Sequence, residues 1–236
     1  MKPFFTIIVL IVLLSACGNR GGVEHTLNDT TNYLHNIVAF TTDSLINVVI
    51  EIPAGTNQKW EVNKESGKIE WEQVSSDSFR VINYLPYPAN YGFVPQTLLP
   101  ESAGGDGDPV DVFVLGASIA RGKVVKVKIV GIIHMLDNNE SDSKLLAVST
   151  EEPGFDADSS EELKNNYPGV IDILSLWLLN YKGEGQVNIL SVNDETDAIR
   201  YLRAAHSDYI DQLPSGSKTV GNKIRSSGNA RTKENQ

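Results

Sequence analysis

An α+β fold is predicted, with short strands through the first two thirds of the chain and helices after them. Three observations predict it. Apolar, β-branched segments separated by polar turns recur from Leu45 to Ser149. Beyond Asp158 the apolar spacing lengthens to the three-to-four-residue period of helices. The 236 residues are 41% apolar and 21% charged, enough for a packed core and for one large domain or two small ones.

The N-terminus reads as an address. Lys2 precedes an apolar run, Phe4 to Leu14, the length of a signal-peptide core and too short to span a bilayer. Leu14-Ser15-Ala16-Cys17 follows and resembles the lipobox of bacterial lipoproteins, in which the cysteine is lipidated and becomes the new N-terminus. Residues 1–16 are thus expected to be a signal peptide and Cys17 the lipidation site. Residues 17–36 are polar and read as a tether, leaving 37–213 for the folded domain.

Within that domain, Leu45–Ile52, Lys59–Val62 and Lys68–Val74 read as strands, the last two joined around Glu65-Ser66-Gly67. Leu85–Gln96 carries Pro86, Pro88 and Pro95, which argue against a helix or a central strand, so a structured loop is expected. Val110–Leu115, Lys123–His134 and Lys144–Ser149 are further strands. Several short strands in succession suggest a barrel or a sandwich. Asp158–Asn166 reads as a short helix. Pro168 marks the start of a second helix, with Val170, Ile173, Leu174, Trp177 and Leu178 at helical spacing. Asp194–Asp211 is a third, with Ile199, Leu202, Ala205 and Tyr209 on one face. Residues 214–236, basic and rich in Ser, Gly and Asn, read as a disordered tail.

Charge and composition narrow the function. Thirty acidic against twenty basic residues give a net charge of −10, which would repel phosphodiester backbones, so no nucleic-acid partner is expected. The lone cysteine excludes a disulfide framework and any multi-cysteine metal site. No two of the four histidines stand at the i, i+4 spacing of a helical zinc site.

The strongest chemical feature is Gly105-Asp106-Gly107-Asp108-Pro109-Val110-Asp111. Crowding three carboxylates costs energy unless something positive lies among them, and hard divalent cations bind such oxygens. On this ground, removing one of the acids is expected to leave folding intact or to improve it. An Asp-x-Asp alone is more often a solvated turn. A second cluster, Asp137, Asp142 and Lys144 with Glu140 between, follows the long strand; five Asp side chains could then line one pocket. The run is not an EF-hand, since Asp111 and Ala117 stand where Gly and Glu are required. Gly116–Lys123 is not a P-loop, and no Gly-x-Ser-x-Gly elbow is present. Lys59, Arg80, Lys144 and Lys182 are candidate phosphate cations, with Tyr87, Tyr91 and Tyr181 as hydroxyl donors.

Taken in order, these blocks resemble the soluble inorganic pyrophosphatases of the metal-dependent, single-domain barrel family. Asp106-Gly107-Asp108-Pro109-Val110-Asp111-Val112 carries the resemblance, supported by Val49–Pro53, Lys59-Trp60-Glu61, Lys64–Gly67, Tyr87–Gly92, the Asp137/Asp142/Lys144 cluster and Tyr181-Lys182. One departure is that Gln73 stands where the family usually has an arginine. Arg80, seven residues on, is read as that arginine displaced in sequence by a short insertion. The resemblance implies a small closed OB-like β-barrel flanked by C-terminal helices, and hydrolysis of inorganic diphosphate by a metal-activated water. It implies several Mg²⁺ per site, with Mn²⁺ or another divalent ion possible. Asp106, Asp111, Asp137 and Asp142 would be metal ligands, Asp111 bridging, with Glu51 and Glu61 acting through water. Asp108 would be the general base. Lys59, Arg80, Tyr91, Tyr181 and Lys182 would hold phosphate, assisted by Lys144. A homo-oligomer is expected by the same analogy. Anchoring through Cys17 would place the protein outside the cytoplasmic membrane, in the periplasm; most of the family is cytoplasmic. The competing readings are a non-catalytic metal- or phosphate-binding lipoprotein on this fold and a phosphohydrolase acting on nucleotides or polyphosphate.

Overall fold

The structure is a computed structural model that describes residues 25–27, 30–42, 44–151 and 154–213. The signal segment, Cys17 and the basic tail lie outside the described residues. Five strands close into a ring: β1 (Ile46–Ile52), β6 (Asn90–Phe93), β7 (Asp111–Leu115), β10 (Lys144–Ser149) and β8 (Val124–Asp137), which returns to β1. All neighbours are antiparallel except β7 and β10. The long strand β8 closes the ring because it bends. Val124–Val127 pair with β1, the middle pairs with β10, and its end pairs with the edge strand β11 (Val187–Asn193). Two hairpins, β2 (Trp60–Val62) with β3 (Ile69–Trp71) and β4 (Gln73–Ser75) with β5 (Ser78–Phe79), pack outside the ring, and β9 (Glu140–Ser141) folds back on β8.

Strand alternation sends side chains to two hydrophobic clusters. Phe93, Phe113 and Leu146 lie in the one shared with α1 (Ser160–Asn166), α2 (Val170–Asn180) and the β2–β3 hairpin. Val112, Val114 and Leu145 lie in the one capped by Ala198, Leu202 and Ala205 of α3 (Glu195–Gln212). Ser159 caps α1, its hydroxyl accepting from the Glu162 N–H, and Asp194 caps α3 in the same way through the Asp197 N–H.

Four sequence expectations are revised. The proline-flanked segment contains a central strand, β6, between β1 and β7. Its four paired residues carry no proline; Pro88 and Pro95 fall outside the ladder, so no hydrogen bond is lost to them. Within β6, the buried Asn90 side chain accepts from the Ala54 and Ile119 N–H groups and donates to the Val114 and Ala117 carbonyls, tying three segments together. Edge strand β11 was not expected at all, and Lys68–Val74 splits into β3 and β4. Finally, part of the polar segment before residue 37 belongs to the fold. Leu27 and Trp71 exchange backbone bonds with Ile69 and His25, His25 stacks on Phe79, and Tyr33 and Leu34 are buried. Its aromatic and leucine side chains find apolar partners on β3, which polarity averaged over the segment conceals.

Gly92 is where β6 passes closest to β1: a Cβ there would lie 1.8 Å from the Val49 carbonyl oxygen. Gly92→Ala is expected to destabilise by more than about 3 kcal/mol or prevent folding. Gly55→Ala, in open space at a positive φ, should cost about 1 kcal/mol. Chemical denaturation of both variants checks this pair.

Candidate active site

The barrel gathers the chain's chemistry at one place because of its strand polarity. β7 and β10 run parallel with Asp111 opposite Lys144, so both strands begin side by side. Asp111 is in phase with Phe113, and Lys144 with Leu146, so both face the α2 side. Asp137 ends β8, and Asp142 lies two residues before Lys144, the first residue of β10. Asp106 and Asp108 lie in the turn leading into β7, where the Asp106 carboxylate accepts from the Asp108 N–H at 2.9 Å. Glu51 comes from the end of β1, Lys59 and Glu61 from the start of β2, and Tyr181 and Lys182 from the end of α2.

Positive charge is threaded through the acids. Lys144, nearly wholly buried, donates to Asp111 at 2.5 Å and also to Asp142. Lys64 reaches the Asp108 carboxylate at 2.6 Å and the Asp106 carbonyl at 3.0 Å. Lys182 pairs with Asp137, and Lys59 with Glu61 at 3.1 Å. The structure thus supplies the counter-charge that crowded carboxylates require. It also revises the expectation that removing an acid relieves repulsion: without Asp111, the buried Lys144 loses one of its two partners.

Electrostatics follow from this crowding. Burial pushes the Glu51 carboxyl up to about 8, against the pull of Lys59, while its Oε1 accepts from the Val62 N–H at 2.6 Å. Burial also raises Asp108 to about 6, with Asp106 and Asp111 adding to the shift and Lys64 opposing it. Asp142 is raised, first by burial. Burial disfavours the Lys59 and Lys144 ammonium groups, yet the surrounding acids hold both above their usual range. The tyrosines are fixed by stacking. Tyr91 packs on Tyr87, Tyr87 on Trp177, and Trp177 on Tyr181 at 4.4 Å, while the Trp177 indole donates to the Leu85 carbonyl. Burial raises Tyr91 and Tyr181 well above the usual phenol range, so both remain O–H donors.

The hairpin β4–β5 settles where Arg80 and Gln73 stand. It carries the chain out and back, so that Arg80 accepts the Lys59 N–H through its carbonyl at 3.0 Å. The Arg80 guanidinium lies 2.9 and 3.0 Å from the two Glu72 oxygens. Gln73 is exposed, its amide donating to the Ser76 carbonyl within the hairpin.

The donor chemistry fits a hard divalent cation. The ligands on offer are carboxylate oxygens, with no histidine or cysteine among them, and ammonium groups already lie against them. Among the described residues, no three acidic, histidine or cysteine side chains close around a single point. Lysines stand between them, and Mg²⁺ commonly takes only one or two carboxylates, completing its shell with water and substrate oxygens. Two residues escaped sequence reasoning. Lys64 was visible as part of the Lys-Glu-Ser-Gly turn, without a role. Arg121, whose guanidinium lies 4.0 Å above the Trp60 ring and donates to the Glu51 carbonyl at 2.9 Å, had no local signal.

Carboxylates of the kind that hard cations prefer, with lysine, arginine and tyrosine around them at one mouth of a small barrel, suit a compact phosphate polyanion. Comparison with known proteins names the family. Residues 48–210 match the inorganic pyrophosphatase family, and the chain belongs to it. The inorganic pyrophosphatase of Campylobacter jejuni is 33% identical over 168 residues, covering 70% of this chain and 91% of that protein. That of Bos taurus is 31% identical, covering 63% of this chain and 56% of its own length. The crystal structure of type I inorganic pyrophosphatase from Toxoplasma gondii superposes with a TM-score of 0.71 at 28% identity, covering 77% of this chain and 88% of that one.

If Arg80 grips substrate, Arg80→Ala should lower kcat/KM by at least about 30-fold, the scale of losing a charge-assisted phosphate contact. Gln73→Ala should change it less than about 2-fold. Steady-state phosphate release measures both, and the reverse ranking would show that the hairpin does not restore the arginine.

Proposed function

We propose that this protein is a lipid-anchored inorganic diphosphatase that works with Mg²⁺ outside the cytoplasmic membrane, Mn²⁺ being able to substitute. Hydrolysis of inorganic diphosphate to two phosphates is the activity supported by its family and its relatives. The observation that carries the reading is the pairing of Lys144 with Asp111 and Asp142 among lysine, arginine and tyrosine side chains that could hold phosphate.

Diphosphate repels a nucleophile through its dense negative charge. Lys59, Arg80 and Lys182 offset that charge and hold the phosphoryl groups, and Tyr91 and Tyr181 donate hydroxyl hydrogen bonds that fix their orientation. Asp106, Asp111 and Asp142 would hold the divalent cations, with Asp137 joining for a cation that accompanies substrate. Glu51 and Glu61 would act through intervening waters. Bound there, such ions neutralise the substrate and make water a stronger acid. Asp108 takes the proton of the attacking water. Raised to about 6, its carboxyl is mostly ionised at neutral pH yet basic enough to accept that proton.

The anchor rests on Lys2, the apolar run and Leu14-Ser15-Ala16-Cys17. Because His25 is docked on β3, eight residue steps from Cys17, the reach from the bilayer to the domain is at most roughly 28 Å. An oligomer by family analogy belongs to the same proposal; Ile173 and Leu176 on α2 offer exposed apolar surface for one. Fractionation should place the chain with membranes, and mass spectrometry should find an acylated Cys17 as its first residue. An intact Met1 in the soluble fraction would overturn the anchoring.

Asp111→Asn should cut kcat for diphosphate by at least about 100-fold, in line with the several kcal/mol of charge stabilisation at stake. Asp156→Asn, on an exposed loop away from the site, should be silent. Colorimetric phosphate release with diphosphate, nucleotides and polyphosphate in parallel tests this. Near-normal turnover by Asp111→Asn refutes the site, a preference for the longer substrates refutes diphosphate, and no turnover by the unmodified protein favours a binding role.

A further inference from the structure

On the α3 side of the barrel, behind the acidic site, three side chains stand in series. The His134 ring lies with Nε2 2.8 Å from the Asp197 Oδ2 and Nδ1 3.0 Å from the Ser143 Oγ. Ser143 is 2% exposed and is flanked in sequence by Asp142 and Lys144. Alternation along the chain puts Asp142 and Lys144 toward the acidic site and Ser143 toward α3. Asp197 is itself held in place. It accepts from the Asn193 amide at 2.7 Å, pairs with Arg200, and has its N–H capped by the Asp194 carboxylate at 2.9 Å. Tyr201 completes the enclosure, its ring edge-on to His134 with centroids 5.8 Å apart.

The series has the order of a serine-nucleophile triad, but its placement excludes that use. Ser143 is sealed under the strand and faces α3, so no substrate carbonyl or phosphoryl group can approach its Oγ. What it can do is hold the backbone between two site residues. Ionised Asp197 only accepts, so Nε2 carries a proton toward it, and Nδ1 shares a hydrogen bond with the Ser143 hydroxyl. That fixes the Ser143 rotamer and the peptide planes on either side of it. We propose that Asp197, His134 and Ser143 form a positioning relay that sets the Asp142–Lys144 edge of the cation site from the opposite face of the barrel. This rests on the reading of Asp142 as a cation ligand. It resembles the outer hydrogen bonds that orient metal ligands elsewhere, whose loss typically weakens metal affinity by about 10–100-fold.

The test separates the two halves of the relay. At position 134, asparagine places an amide where Nδ1 was and still reaches Ser143. Glutamine extends to the Nε2 position and reaches Asp197 only. Mn²⁺ binding to the full chain, measured by titration calorimetry without substrate, should weaken about 3-fold or more for His134→Asn, which keeps the Ser143 contact but loses its anchor on Asp197. It should weaken about 10-fold for His134→Gln and for Ser143→Ala. The double variant His134→Gln/Ser143→Ala should be no weaker than either single one, the signature of residues acting as one unit. Unchanged Mn²⁺ affinity in His134→Asn, His134→Gln or Ser143→Ala, or additive losses in the double variant, overturn the relay. If His134→Gln does not fold, Ser143→Ala, which removes one oxygen atom, decides alone. The diphosphatase reading fails separately: an unmodified protein that binds Mn²⁺ with this pattern but releases no phosphate from diphosphate keeps the relay and loses the substrate. An unmodified protein that binds no Mn²⁺ overturns the relay with the cation site.

Discussion

The Lys144 ammonium between Asp111 and Asp142 is the interaction on which the site depends. Moving three charges out of water is costly, and the attraction among them compensates only when each stays close to its partner. Lys144 meets that condition because two strands start side by side: β7 brings Asp111, β10 brings Lys144, and their parallel register places one opposite the other. The same logic repeats around the rim, with Lys64 on Asp108, Lys182 on Asp137 and Lys59 on Glu61. These pairs differ in weight. Lys64 and Asp108 are about half exposed, so solvent screens their attraction, whereas Lys144 has almost no solvent to turn to.

The ring of strands serves this arrangement. An acidic cluster built on loops alone would spread under its own repulsion. Here the acids stand at strand ends whose spacing is fixed by ladder hydrogen bonds and by two apolar clusters on the opposite faces. The helices add distinct parts: α2 delivers Tyr181 and Lys182 and supports the tyrosines through Trp177, while α3 brings Asp197 beneath the Asp142–Lys144 edge. The lysines and strand ends thereby offset the repulsion within so acidic a site.

Much of this was legible in the chain. The Asp106–Asp111 run, Lys59 and Glu61, and the Tyr181-Lys182 pair are local patterns, and local patterns survive in sequence. The strands of the ring were legible wherever β-branched residues were contiguous. β6 was not, because its strand character comes from partners on both sides and from a glycine that lets β1 approach, both outvoted locally by flanking prolines. The resemblance read Arg80 as the family arginine displaced by a short insertion, but the β4–β5 hairpin, which ends one residue before it, was not expected. His134, Ser143 and Asp197 were invisible, since the latter two lie 9 and 63 residues from His134 and nothing local marks any of them. The docking of His25 and Leu27 on β3 was hidden in the same way.

The measurement that tests the central claim most directly is thermal melting of Lys144→Met beside the unmodified protein, first in chelator and then with Mg²⁺. Methionine keeps the apolar stem and removes the charge. The account predicts that in chelator the variant melts lower by roughly 6–20 °C, from about 3–5 kcal/mol lost when a buried pair is broken. It also predicts that Mg²⁺ narrows this gap by neutralising the acids left behind. Equal melting of the two proteins in chelator would contradict it, since the acidic cluster would then stand without its buried counter-charge.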